Sequence, residues 1–286
     1  MSTEKNKPQA QNFTRAQHTE YAENTFFWNI YGRLYDGINY SFPYRKLLWD
    51  MLALLDLEAG QKILDAGCGT GNFEKFLAEK NAPPLKIEAV DFSTAMLSRA
   101  EKKCKQMQNV RFSRADLNLR LNFPDNAFDR ILCVNVLYAL KDPHFTLSEF
   151  SRVIKPGGKI LVATPKPGFK VGVIVQDHFR RINNVWGIPR RLWSATKTLL
   201  LLPTMGLAPI LLNVFVIQKK GQKQEYHFFP QSELLTLFEK NNFEQTYVND
   251  TYADQNWLAQ AVKPEPRKIK PALSVQIDPP TKEENL

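Results

Sequence analysis

Lys62-Ile63-Leu64-Asp65-Ala66-Gly67-Cys68-Gly69-Thr70-Gly71 is the stretch that decides the fold. An apolar run closes on an acid, and three alternating glycines turn the chain into a helical pattern beginning at Asn72. Such a turn from strand to helix lets backbone approach a nucleotide-like ligand where any Cβ would collide. The spacing narrows the ligand further. A dinucleotide fingerprint has the form G-x-G-x-x-G, and its third glycine would fall at position 72, which is Asn72. Here the order is G-x-G-x-G behind Asp65.

Outward from this turn, strands alternate with helices. Strand 62–66 leads to helix 72–80, and strand 86–91 leads to helix 94–107, capped by Ser93 or Thr94. Strand 109–114 runs into a loop holding Asp116, and strand 129–134 precedes a helix from Pro143 to Val153. Lys155-Pro156-Gly157-Gly158 reads as a turn into strand 159–164. Helix 232–241 and strands near 243–250 and 256–262, joined through 250–254, close the pattern as a hairpin. The expected fold is α/β: a Rossmann-like, doubly wound, mostly parallel seven-stranded sheet with an antiparallel last strand.

The expected organisation is one domain over 21–262. Residues 21–57 form a helical cover with aromatic anchors (Phe26, Phe27, Trp28, Tyr31, Leu34, Tyr35), and Pro43 opens its second helix, Tyr44 to Leu55. Residues 60–165 form a cofactor-binding core, 166–225 an insert, and 226–262 the closing helix and strands. Residues 1–20 are polar without an apolar h-region and read as a disordered arm rather than a signal peptide. From 263 to 286, prolines and mixed charge read as a disordered tail.

With 286 residues and 43% hydrophobic content the chain can bury a proper core. Its three cysteines (Cys68, Cys104, Cys133) lack metal-ligand spacing, so no metal site and no disulfide framework are expected. A reducing, cytoplasmic setting is the simplest match. The charge is unevenly placed. Ten of the 38 basic residues but only one of the 29 acidic residues fall within 166–224, so that segment holds the entire formal excess of +9.

Four elements, in order and at suitable spacing, resemble the class I S-adenosylmethionine (SAM) methyltransferases, most closely the methyltransferase type 11 and ubiquinone/menaquinone-biosynthesis-like group. The resemblance covers about 60–164 well and 226–264 more loosely. Asp65 through Gly67, Gly69 and Gly71 resembles motif I, and Asp91 matches the acid that holds both ribose hydroxyls. A carboxylate suits a vicinal diol because it accepts two hydrogen bonds. On the same resemblance Phe92 packs on the adenine, Asp116 and Leu117 recognise its amine end, and Asn135, after Phe128-Asp129-Arg130-Ile131, sits beside the methionine end. Tyr31 or Tyr35 in the cover would reach the cofactor carboxylate, although both read equally as core aromatics. Taken singly, Asp91 also reads as a helix cap and Asp116 as a loop carboxylate. The conjunction at successive strand ends points to SAM.

The implied activity is transfer of a methyl from SAM to oxygen or carbon of a small lipophilic acceptor, a quinone precursor, isoprenoid or lipid. The sulfonium methyl is already a strong electrophile, so alignment and desolvation suffice. No catalytic base is named; of the histidines only His178, in the insert, merits testing, and His144 and His227 read as structural. Within 166–225, Trp186, Ile188, Leu192 and Trp193 interleave with Arg180, Arg181, Arg190 and Arg191, and an apolar run follows from Thr198 to Ile217. Pro203, Gly206, Pro209 and Asn213 interrupt it, so two short helices fit better than one spanning helix. The insert reads as a substrate lid or as a peripheral contact with anionic membrane. Nucleic acid is a poor fit because aliphatic runs stack badly on bases. The rivals are an RNA methyltransferase, a non-catalytic SAM- or lipid-binding protein, and a nicotinamide oxidoreductase. Asn72 and the absence of a Tyr-x-x-x-Lys dyad count against the last.

Overall fold

The structure, a computed structural model, describes residues 36–186 and 226–266. A short 3-10 helix, Asp36–Tyr40, precedes α1 (Phe42–Leu55). Then follow β1 (Lys62–Ala66), α2 (Asn72–Glu79), β2 (Lys86–Asp91), α3 (Thr94–Lys103), β3 (Val110–Arg114) and β4 (Phe128–Val134). After a 3-10 turn at Leu137–Ala139 come α4 (Pro143–Val153), β5 (Ile154–Pro165), α5 (Val171–Trp186), α6 (Gln231–Lys240), β6 (Glu244–Thr251) and β7 (Asn256–Val262). The expected arm (1–20), the first part of the helical cover (21–35) including Tyr31 and Tyr35, the insert from 187 to 225 and the tail from 267 lie outside the described residues.

The seven strands form one sheet in the order β3-β2-β1-β4-β5-β7-β6. β7 is antiparallel to both of its neighbours and the other pairings are parallel, as the sequence leads one to expect. Successive strand residues point to opposite faces, and both faces are buried. Ile63, Ile87, Leu132 and Leu161 pack beneath Leu47, Met51, Phe73 and Phe76 of α1 and α2. Their neighbours Leu64, Val90, Ile131 and Ile160 pack against Leu147, Phe150, Leu234 and Phe238 of α4 and α6. The winding reverses between β1 and β4, and the chain leaves both strands at the same edge. An open α/β sheet places its ligand crevice at that reversal.

Most boundaries fall within two residues of expectation, and two differ by more. α3 ends at Lys103 rather than 107: Cys104 N–H closes the last turn on Ala100 O at 2.8 Å, and Met107 N–H turns back to Cys104 O at 2.8 Å. Lys155–Gly158, expected as a turn, is a bulge inside β5, whose pairing with β4 slips between Phe128 and Arg130. Only glycine fits at 158, because a Cβ there would lie 2.6 Å from Ile154 Cγ1 and 2.8 Å from Lys155 O. Lys263 N–H extends the adjoining edge by bonding Gly158 O at 3.0 Å.

The insert opens as α5, which lays Ile174 and His178 against the core while Phe42 N–H donates to His178 Nδ1 at 3.2 Å. Part of its basic excess is internally matched. Arg180 and Arg181 both bind the buried Asp177, and Lys166 pairs with Asp250 at 2.6 Å over the Trp257 ring. Among the described residues no helix is long and apolar enough to cross a membrane.

Arg130, nearly buried in β4, holds the end of α1. Its Nε donates to Leu55 O at 2.8 Å and its Nη2 to Asp56 O at 3.1 Å, so a cation meets the free carbonyls at a helix C-terminus. Arg130→Met keeps the apolar stem and strands these carbonyls. We expect a loss of about 2 kcal/mol in urea unfolding; an unchanged midpoint would show that water replaces the guanidinium at no cost.

Candidate functional site at the carboxyl end of the sheet

The glycine turn leaves β1 with Gly67, Gly69 and Gly71 all at positive φ (89°, 56° and 75°). Gly67 and Gly71 are required chiefly by protein neighbours. A Cβ on Gly67 would lie 2.3 Å from Val136 Cγ2, and one on Gly71 would lie 3.1 Å from Ala100 Cβ. The turn thus nests between the exit of β4 and α3, and its N–H groups are directed inward. Gly67 and Cys68 N–H both donate to Val90 O, at 2.8 and 3.0 Å.

Asp91 ends β2 at the heart of this nest. Its Oδ2 accepts from Gly69 N–H at 2.9 Å and its Oδ1 from Ser93 N–H at 2.8 Å. Each carboxylate oxygen keeps a further acceptor site. Burial raises the carboxyl to about 6, against the pull of those two amides. The helix-capping role belongs to Ser93, whose Oγ accepts from Met96 N–H at 3.3 Å, and Thr94 is left exposed. Phe92, half-buried, offers its carbonyl to Arg114 Nε at 3.1 Å.

Asp116 stands beyond the end of β3, its Oδ1 accepting from both the backbone and the side-chain amide of Asn118 at 2.9 and 2.8 Å. Leu117 is buried, and its carbonyl accepts from Thr146 Oγ1 at 3.0 Å. Asn135, just past β4, takes a left-handed φ of 55°, and its Oδ1 accepts from Asn256 Nδ2 at 2.6 Å. Asp65, the glycines, Asp91, Phe92, Asp116, Leu117 and Asn135 therefore all occur at the carboxyl ends of β1 to β4.

Several residues here were not anticipated. Asn72, buried on α2, is the hub of a polar knot: its Oδ1 accepts from Lys103 Nζ at 2.5 Å and from Asn39 Nδ2 at 2.8 Å. Lys103 also reaches Asp36 and Thr70, and Thr70 Oγ1 donates to Asp36 at 2.6 Å. Through this knot the 3-10 helix is fastened onto the glycine turn. Glu74, in the first turn of α2, is fully buried, and burial pushes both it and the neighbouring Asp65 above the ordinary carboxylate range. The pair, with Asp91, loads the start of α2 with acid.

Beside the exits of β4 and β5 the packing is aromatic. Tyr138 stacks on Phe228 at 5.7 Å between centroids, and Phe169 meets the same ring edge-on at 5.4 Å. Phe169 and Phe228 flank the two roots of the insert, so this aromatic wall lies where the insert joins the core. His178 is buried, its Nε2 has no hydrogen-bond partner among the described residues, and burial lowers its pKa, so the ring is neutral at pH 7.

Residues 64–162 match the family model described as a methyltransferase domain. A demethylmenaquinone methyltransferase from Geobacillus sp. (strain WCH70) is 34% identical over 170 residues, covering 56% of this chain and 71% of the relative. Among solved structures, a SAM dependent methyltransferase from Aquifex aeolicus superposes with a TM-score of 0.52 at 17% identity, covering 80% of this chain and 98% of the other. Phosphoethanolamine N-methyltransferase 2 of Haemonchus contortus, solved with S-adenosyl-L-methionine, gives a TM-score of 0.52 at 17% identity, over 77% of this chain and 52% of the other. At such identity the structural likeness speaks to the fold alone.

A carboxyl raised by burial supports folding fully below its unfolded pKa and loses that support as pH rises through its folded value. For Asp91 this loss begins in the ordinary carboxylate range and is complete once the pH passes about 6. His178, lowered by burial, acts oppositely over part of the same range, gaining stability as pH rises. The difference between wild type and Glu74→Gln isolates the acid pair: the variant's relative thermal midpoint should climb as pH rises above the ordinary carboxylate range in the absence of ligand. A flat difference profile would mean that Glu74 carries no excess proton.

Proposed function

From the premise that the chain belongs to the class I SAM-dependent methyltransferases of the ubiquinone/menaquinone type, we propose that it uses SAM to methylate oxygen or carbon of a small, quinone-like lipophilic acceptor. One observation carries the choice of donor. Asp65, Glu74 and Asp91 are buried around the start of α2, where a dinucleotide enzyme would seat its pyrophosphate. Buried acids repel phosphate and suit a ligand bearing an ammonium and a sulfonium.

The residues fit that ligand. Asp91, oriented by Gly69 and Ser93, has acceptor capacity left for two ribose hydroxyls. Phe92 would pack on the adenine, Asp116 and the backbone at Leu117 would meet its amine edge, and Asp65 and Asn135 would lie toward the methionine end. Bound there, SAM supplies an electrophilic methyl. The protein's task is then to align the acceptor and exclude water. Phe228, half-buried and backed by the Tyr138 and Phe169 rings, would offer an apolar contact for a ring system, and the name of the Geobacillus relative supports a quinone precursor. The free cysteines support a reducing cytoplasmic setting.

A peripheral membrane contact through the insert is favoured by the concentration of basic residues within 166–224 beside the apolar run 198–217. It would bring the enzyme to a membrane-dissolved acceptor. The intact chain should co-sediment with anionic liposomes, and neutralising Arg190 and Arg191 together should cut the bound fraction severalfold; equal binding by the variant removes the proposal.

The donor is tested by isothermal titration. S-adenosylhomocysteine (SAH) should bind and NAD should not, and Asp91→Ala should weaken SAH at least tenfold, about 1.4 kcal/mol. Binding of NAD in preference to SAH overturns the reading. Label from SAM should enter an organic-extractable fraction of cell extract; label in RNA would favour an RNA acceptor instead.

A further inference from the structure

Glu74 has no evident structural employment. It is fully buried, yet neither of its carboxyl oxygens has a side-chain N–H or O–H donor from another described residue as its partner. An orphaned buried carboxylate is costly, so such a group is expected to hold a proton or await a partner. Its surroundings are acidic: Asp65 from the end of β1 and Asp91 from the end of β2. Cys68 in the turn and Cys104 at the end of α3 add neutral thiols, both raised by burial. The cation that acts on the group from among the described residues is Lys103 of α3. That ammonium is already engaged by Asp36, Thr70 and Asn72.

Asp65 and Glu74 lie within hydrogen-bonding range of each other. Two carboxylates bring only acceptors, so such a contact forms only if a proton sits between them. We infer that Glu74 belongs to the donor-binding site: with Asp65 it shares a proton in the ligand-free protein, and the ammonium of the ligand's amino-acid end takes that proton's place. The inference rests on the SAM reading above and extends it to a residue outside the glycine turn. The chemistry balances simply. The carboxyl O–H bond breaks, its electron pair stays on oxygen, and the proton passes to solvent as the ammonium brings its own charge and N–H donors to the pair.

SAH retains the ammonium, whereas 5′-methylthioadenosine keeps the nucleoside and thioether but lacks the amino-acid end. The full chain is titrated with each at pH 7 in phosphate and in Tris, whose ionisation enthalpies differ, so that the heat difference counts protons. About one proton should be released per SAH bound, and close to none with methylthioadenosine. Asp91, near 6, adds only about a tenth of a proton at this pH. Glu74→Gln, which keeps the size and a hydrogen bond to Asp65, should abolish the release while still binding SAH. SAH binding with the same heat in both buffers overturns the inference and leaves the donor assignment standing, as does full release from Glu74→Gln. Failure of SAH to bind overturns both. If the variant does not fold, the wild-type contrast between SAH and methylthioadenosine decides.

Discussion

The Asp91 carboxylate, fixed between Gly69 N–H and Ser93 N–H, is the joint on which this end of the molecule depends. It ties the exit of β1 to the exit of β2 and so sets the origins of α2 and α3 relative to each other. Neutral partners at those amides would not do the same, because charge-assisted bonds are shorter and stronger. The arrangement has a cost. Burying the acid raises it to about 6, so near neutrality the ligand-free protein carries a charge it is not well placed to solvate. A functional site held slightly unfavourably until occupied is a familiar consequence of preorganisation.

Legibility in the sequence followed the range of the interactions. β1, β2 and α4 match their expected bounds because apolar runs, helical periodicity and Pro/Gly punctuation are local signals. Asp65, Asp91 and Asp116 were identifiable as strand-end acids, and the structure sets each at the carboxyl edge of its own sheet segment. The Lys155–Gly158 segment misled because Pro-Gly-Gly signals a turn equally well whether the chain reverses or merely bulges, and only the slipped register against β4 decides between them. Asn72 marked a departure from the dinucleotide pattern, but not what stands there instead. Its role depends on Asn39, 33 residues earlier, and Lys103, 31 residues later. Glu74 looked like an ordinary helix acid until its burial was seen, and Asn256 gave no hint of its bond to Asn135, 121 residues away.

The charge of the insert also changes meaning when the fold is known. From the sequence, 166–224 is uniformly basic. In the fold, Lys166 is paired to β6, and Arg180 and Arg181 converge on the one acid of the segment. Exposed pairs of this kind contribute little stability, but here the shared carboxylate is buried, and two cations offset its desolvation. The other basic residues of the insert, Arg190, Arg191, Lys197 and the lysines after Ile217, stand in sequence around the apolar run rather than at the insert's root.

Charge complementarity at the start of α2 also bears on turnover under the proposed reading. SAM carries a sulfonium, an ammonium and a carboxylate, a net of one positive charge, and SAH is neutral once the methyl has left. A site lined by the buried acids Asp65, Glu74 and Asp91 attracts the first more than the second, and low dielectric enlarges the difference. The acids that exclude a phosphate ligand would thus also help discharge the spent donor. The proton held between Asp65 and Glu74 fits the same logic: it keeps the empty site from carrying three buried negative charges, and it is given up only when a cationic ligand arrives to replace it.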